Sequence, residues 1–102
     1  MQTYINKKVI IRANRAGVFY GTLTEKENTL SGVEVKLTNC RRFWYWEGAA
    51  SLSQLAIEGV TKPKACKFTV IVPEMVIEDA IEIIPVSEAA TENIEAVATW
   101  KL

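Results

Sequence analysis

The sequence predicts a mainly β domain of the α+β class. The expected form is a small, bent antiparallel sheet or partial SH3- or OB-like barrel, with one short inserted helix and a C-terminal helix. Three observations predict it. Apolar and polar residues alternate over several short stretches, turn residues separate these stretches at intervals of about 8–12 residues, and the break in that texture carries helix-capping signals. A chain of 102 residues has room for one core and one domain, residues 1–102.

Val9, Ile11 and Ala13 alternate with Ile10, Arg12 and Asn14, the period of a half-buried strand. Arg15-Ala16-Gly17 makes a turn. Val18 to Thr24 is the next strand, aromatic and β-branched, in which Gly21 marks a bulge or a close backbone approach. Glu25 to Asn28 is expected to reverse the chain. Val33, Val35 and Leu37 then alternate with Glu34, Lys36 and Thr38, a turn is expected at Thr38-Asn39, and Arg41 to Trp46 forms a fourth strand. Gly48-Ala49-Ala50-Ser51 leads into Ser51-Leu52-Ser53-Gln54, a capping box, with Leu52, Leu55 and Ala56 at helical spacing and Gly59 as the stop. Lys62-Pro63-Lys64 is a connection. Phe68 to Val72 is a strand closed by Pro73, and Met75 to Ile84 another closed by Pro85. Ser87 to Thr99 predicts a helix with Ile94 and Val97 on one stripe, docked weakly or frayed toward the end of the segment 87–102.

Composition narrows the chemistry. The chain has no histidine, which excludes Ser-His-Asp and Cys-His nucleophiles, histidine acid–base catalysis and nearly every zinc site. Two cysteines, Cys40 and Cys66, are too few for a disulfide scaffold and suit a reducing cytoplasm, where they pack as small hydrophobes. No apolar run approaches the roughly 18 residues of a membrane span, and Met1-Gln2-Thr3 opens no signal peptide. Glu78, Asp79 and Glu82 lack the oxygen-rich loop of a calcium site. No catalytic constellation, cofactor or metal is expected, so function is argued as binding. The zero net charge is a sum of two halves. Met1 to Lys67 holds eleven Lys/Arg against five Glu, and Phe68 to Leu102 one Lys against seven acids. A basic front and an acidic back suit an anionic ligand on one face or association between copies; equally, the two surfaces pair within the monomer.

The segment Arg41-Arg42-Phe43-Trp44-Tyr45-Trp46-Glu47-Gly48 concentrates four of nine aromatics behind two arginines. On a regular strand Arg42, Trp44 and Trp46 share one face and Arg41, Phe43 and Tyr45 the other. Rings stack on nucleobases and guanidinium binds phosphate. Gly48, Ala49 and Ala50 let a phosphate approach a helix N-terminus at which Ser51 and Ser53 can donate, and Lys62 and Lys64 add positive field. The expected ligand residues are therefore Arg41, Arg42, Trp44, Tyr45, Trp46, Gly48, Ala49 and Ser51. The competing reading makes the rings core and interface, the small residues a tight corner, and Ser51 a cap.

The run RRFWYWEGAASLSQLAIEGVTKPKACKFTV resembles a small family of phage and prophage proteins with an Arg-Arg-aromatic-Trp-Tyr-Trp strand, a Gly-Ala-Ala-Ser-Leu corner and a later Val-Pro-Glu element. The likeness spans about residues 9 to 85. Phage proteins of this kind include sponges that sequester nucleotide signals of bacterial defence without cleaving them. The resemblance implies a non-catalytic binder of a small nucleotide, a cyclic dinucleotide or an ADP-ribose derivative, in the cytoplasm of an infected host. A homo-oligomer is expected because sites assembled between subunits let a chain of 102 residues enclose a ligand. Two alternatives stand beside it: a small nucleic-acid-binding β-barrel, and a virion structural or interaction protein.

Overall fold

The computed structural model describes residues 4–102; Met1, Gln2 and Thr3, which carry the signal-peptide expectation, lie outside the described residues. Five strands and two α-helices follow in the order β1 (Lys8–Ala13), β2 (Val18–Thr29), β3 (Gly32–Tyr45), α1 (Leu52–Glu58), β4 (Lys67–Phe68), β5 (Val72–Pro85) and α2 (Glu88–Glu95). The sheet order is β2-β1-β5-β3-β4, and β2 also pairs with β3, so four antiparallel strands form a ring with β4 appended beside β3. The predicted mainly β, barrel-like fold with one inserted helix and one C-terminal helix is the fold observed.

Three of the strands are longer than their sequence texture suggests. The turn expected at Glu25–Asn28 is strand: β2 runs on to Thr29 and reverses at Leu30-Ser31, with Gly32 at a φ of 137°. The turn expected at Thr38-Asn39 is a bulge inside the fourteen-residue β3. Between the pairs Tyr20–Arg41 and Thr22–Thr38, β3 takes three steps against two on β2, and Asn39 sits at a φ of 49°. The extra residue shifts the inward set from Val33, Val35 and Leu37 to Cys40, which a strict period of two cannot show. Opposite it lies Gly21, where a Cβ would meet the Thr38 carbonyl oxygen at 3.0 Å and the Cys40 Cα at 3.2 Å. Gly21 thus serves both predicted purposes, a register shift and a close approach. Finally, Phe68–Val72 is not one strand: β4 ends at Phe68, and β5 begins at Val72 and carries Pro73 inside it.

Both faces of the sheet are buried. Inside the ring Val9, Ile11, Phe19, Leu23, Val35, Leu37, Cys40 and Ile77 pack together. Against the outer face the two helices cover Ile10, Tyr20, Phe43 and Phe68 with Leu55, Ala56, Ala90 and Ile94. The Phe43 ring stacks on Phe68 at 4.1 Å and on Tyr20 at 6.0 Å between centroids. Both cysteines are buried and free. The helix ends follow their local signals. Ser51 accepts from the Gln54 N–H and the Gln54 side chain from the Ala50 N–H, while Gly59 closes α1. Ser87 caps α2, which buries Ala90, Ile94 and, just past its end, Val97. The chain beyond is pinned, because Thr99 bridges to Phe68 and the Trp100 N–H donates to the Phe68 carbonyl at 2.8 Å. Among the described residues no helix is long and apolar enough to cross a membrane.

Candidate functional site

The eight expected ligand residues divide between scaffold and surface. Arg41 is scaffold. Only 3% exposed, its guanidinium donates to four backbone carbonyls: Thr69 at 3.3 Å, Phe68 at 3.2 Å, Ile94 at 3.4 Å and Val97 at 3.2 Å. The plane also lies 5.4 Å from the Phe68 ring. Burial pushes the proton affinity of this guanidinium down from its ordinary value, and the carbonyl ring offsets that cost. Its donors join the β4 side of the sheet to the last turn of α2, so the expectation of Arg41 as a phosphate ligand is corrected.

The small-residue corner is scaffold as well. Gly48 holds a φ of 90°, and a Cβ there would lie 2.5 Å from the Thr61 nitrogen and 2.6 Å from the Lys62 nitrogen. The Thr61 N–H and hydroxyl both donate to the Gly48 carbonyl, at 3.2 Å and 3.3 Å. Ala49 packs on the helix-side cluster. Ser51 is occupied as the N-cap of a seven-residue helix, with Gln54 filling the adjacent N–H. Gly48, Ala49 and Ser51 therefore build a corner and a cap, and the phosphate cradle expected of them is withdrawn.

The aromatic run does not alternate as a regular strand would. Phe43 pairs with Phe68 and Tyr45 with Lys67, so two steps on β3 face one on β4 and Trp44 is the inserted residue. After this bulge Trp46 returns to the Phe43 side and packs on the helix-side cluster. Trp44 and Tyr45 are both left outside, 64% and 44% exposed. The expected sharing of a face by Trp44 and Trp46 is thus overturned by one extra residue. Opposite Tyr45, the Lys67 ammonium lies 5.9 Å from the Tyr45 ring and 5.5 Å from the Trp100 ring. The Glu47 carboxylate beside the Tyr45 hydroxyl raises the latter's pKa.

Arg42 is the expected ligand that reaches a cleft. Its guanidinium stands over the Phe19 ring at 4.8 Å, on the border of an opening of about 760 Å³ that leads onto the ring core. Phe19, Met75 and Ile77 line its apolar part, and Arg15, Glu78 and Asp79 bring charge to it. Three features place these groups together. The β1–β2 turn delivers Arg15, held by its backbone N–H donating to the Asp79 carboxylate at 3.1 Å. The pairs Val33–Ala80 and Val35–Ile77 show an extra residue on β5 at Glu78-Asp79, and such bulges re-aim side chains. The Phe19–Arg42 pairing sets the Arg42 guanidinium over the ring that lines the cleft. Among the described residues neither the Arg15 nor the Arg42 guanidinium makes an ion pair or side-chain hydrogen bond.

Sequence reasoning missed Arg15, Phe19, Met75 and Ile77 as site residues and weighed Glu78 and Asp79 only as cation ligands. Arg15 carries a local signal, a cation beside a turn glycine, but its meeting with Arg42 depends on the bulges of β3 and β5. Among the described residues no group of three Cys, Asp or Glu side chains is placed to hold a metal ion. In comparisons with known proteins, the family model described as Domain of unknown function (DUF6948) matches residues 6–94. No curated protein and no solved structure matches.

Proposed function

We propose that this chain, which belongs to the DUF6948 family, is a non-catalytic binding module for a small nucleotide seated in the cleft at Arg42. The observation that carries the reading is the pairing of two guanidiniums without salt-bridge partners among the described residues, Arg15 and Arg42, with an aromatic and aliphatic floor in one opening. Guanidinium is suited to phosphate oxygens. The Glu78 and Asp79 carboxylates beside it repel a bare anion but accept from ribose hydroxyls and exocyclic amines, so the mixed lining favours a nucleotide over inorganic phosphate. The absence of histidine supports binding without turnover. Cyclic dinucleotides and ADP-ribose derivatives are the ligand class, and sequestration of such a signal in a phage-infected cell is the role the resemblance adds.

Calorimetry against a panel of cyclic dinucleotides, ADP-ribose and inorganic phosphate tests it. Arg42→Ala removes a charge-assisted hydrogen bond of about 1.5–3 kcal/mol, which is roughly a ten- to hundredfold loss of affinity at an unchanged melting temperature. Arg15→Ala behaves in the same direction. The nucleotide recovered on denaturation is intact. Wild-type affinity in both variants, no binding to any nucleotide of the panel, or recovery of cleaved product overturns the proposal.

A further inference from the structure

The cleft does not end the face on which Arg42 lies. Two residues along β3 the exposed Trp44 follows, the bulge turns Tyr45 out beside it, and Lys67 and Trp100 continue the row across β4 and the C-terminal segment. Trp100 is 45% exposed and is held there, since its own N–H is bonded to Phe68 and its neighbour Thr99 is bridged to the same residue. The row is therefore a built surface: three half-exposed to exposed rings with an ammonium between two of them. Arg42 and Tyr45 are three residues apart, at most about 10 Å along the strand at roughly 3.3 Å per residue and less across the bulge, within reach of the base next to a phosphate held at Arg42. The cations point to the same class of occupant. Lys67 stands against both ladder rings and Arg42 lies at the cleft end of the row, while the Glu47 carboxylate at the Tyr45 hydroxyl can accept from a base amine, so the surface suits a base-and-phosphate ligand over a purely apolar partner.

We propose that Tyr45, Lys67 and Trp100 form a stacking subsite continuous with the cleft, so that the ligand carries two bases joined through phosphate. The inference rests on the nucleotide reading of the cleft and narrows it: a mononucleotide fills the cleft alone, whereas a dinucleotide also covers the ladder. Rings accept any base by its π face, and Lys67, 5.9 Å and 5.5 Å from the two ladder rings, supplies charge to the linking phosphate.

Calorimetry with AMP, a cyclic dinucleotide, the corresponding linear dinucleotide and an eight-nucleotide single strand tests it on the wild type and on Tyr45→Ala, Trp100→Ala, Lys67→Gln and Arg42→Ala. The wild type binds at least one two-base ligand about tenfold or more tighter than AMP. Tyr45→Ala and Trp100→Ala each lose roughly five- to hundredfold in affinity for that ligand and keep their affinity for AMP, with Lys67→Gln losing less because the rings remain. A preference for either dinucleotide that does not grow with strand length supports the subsite, whereas affinity that keeps rising to the eight-nucleotide strand identifies a nucleic-acid platform and overturns the small-nucleotide reading. Equal affinity for AMP and every two-base ligand, or ladder variants that weaken AMP as much as the dinucleotide, overturns it. Loss of all binding in Arg42→Ala with the ladder variants unaffected leaves the cleft reading standing and sinks the ladder alone.

Discussion

Arg41 and Arg42 are neighbours of one residue type with opposite duties, and the difference is set by which side of β3 each leaves. Arg41 turns toward the helices, where four carbonyls consume its donors. Arg41→Ala leaves the Phe68 and Ile94 oxygens their backbone donors, Trp100 N–H and Val97 N–H, but strips the Thr69 and Val97 oxygens of the guanidinium, and costs about 2–3 kcal/mol, seen as a clear fall in melting temperature. Arg41→Lys recovers little, because a single ammonium cannot span the planar fork that reaches both Phe68 and Val97. A melting temperature unchanged in either variant contradicts the clamp. The tryptophans divide in the same way. Trp46→Ala empties part of the helix-side cluster and costs about 2 kcal/mol or more, whereas Trp44→Ala, on the open side of the bulge, stays within about 0.5 kcal/mol of the wild type. Denaturant melts of the two variants separate them, and equal destabilisation means that the bulge at Trp44 does not exist in solution.

At the scale of elements, α2 is fastened by a polar lock as well as by its apolar stripe. The Tyr20 hydroxyl donates to Glu95 at 2.6 Å and the Lys8 ammonium stands 3.1 Å from the same carboxylate oxygen. The hydroxyl bond, and then Lys8 and Arg41, hold the Glu95 carboxyl below its usual pKa. A depressed carboxyl adds stability that is complete above its unfolded value, about 4.3, and disappears as pH falls through the lower folded value. Stability therefore drops as pH falls below about 4.3, and Glu95→Gln, less stable at neutral pH, shows a flatter profile there. Identical acid profiles for the two proteins exclude a contribution from the lock. Burial first, and then the Glu95 carboxylate, push the Tyr20 hydroxyl upward, so the same element loosens from about pH 10 as the unfolded tyrosine begins to ionise. These helices were legible in the sequence because Ser51, Gln54, Gly59 and Ser87 act on residues within one turn of themselves. The strands were legible as existing but not as bounded. Asn39 and Trp44 each insert one residue into β3, and an inserted residue is defined only by the partner strand it fails to match. The same insertions decide which arginine meets the cleft, so the site was legible as a segment and not as a set of contacts.

For the whole molecule, the division into a basic front and an acidic back is partly folded away. Lys8–Glu95, Arg12–Glu82 and Lys36–Glu74 each join the two halves of the chain within one monomer. All of these pairs are at the surface, where an ion pair contributes about 0–1 kcal/mol and weakens with salt. Of the cations outside these pairs, Arg15 and Arg42 line the cleft and Lys67 stands against the ladder rings. The two populations respond differently to ionic strength. Raising salt from about 0.05 M to 0.5 M shortens the Debye length to a few ångströms, so the attraction of Arg15, Arg42 and Lys67 for phosphate is screened and nucleotide affinity falls severalfold. Stability, resting on two apolar clusters, changes by no more than about 1 kcal/mol over the same range. Association between copies is placed by the same series: if the acidic α2 of a second copy, with Glu88 and Glu92 exposed, covers the basic face, sedimentation velocity shows the oligomer dissociating at high salt and also on adding ligand at low salt. An oligomer indifferent to both has an apolar contact away from this face. Affinity that holds constant across the salt series would mean that the guanidiniums do not touch the phosphate, and the binding face would have to be sought elsewhere.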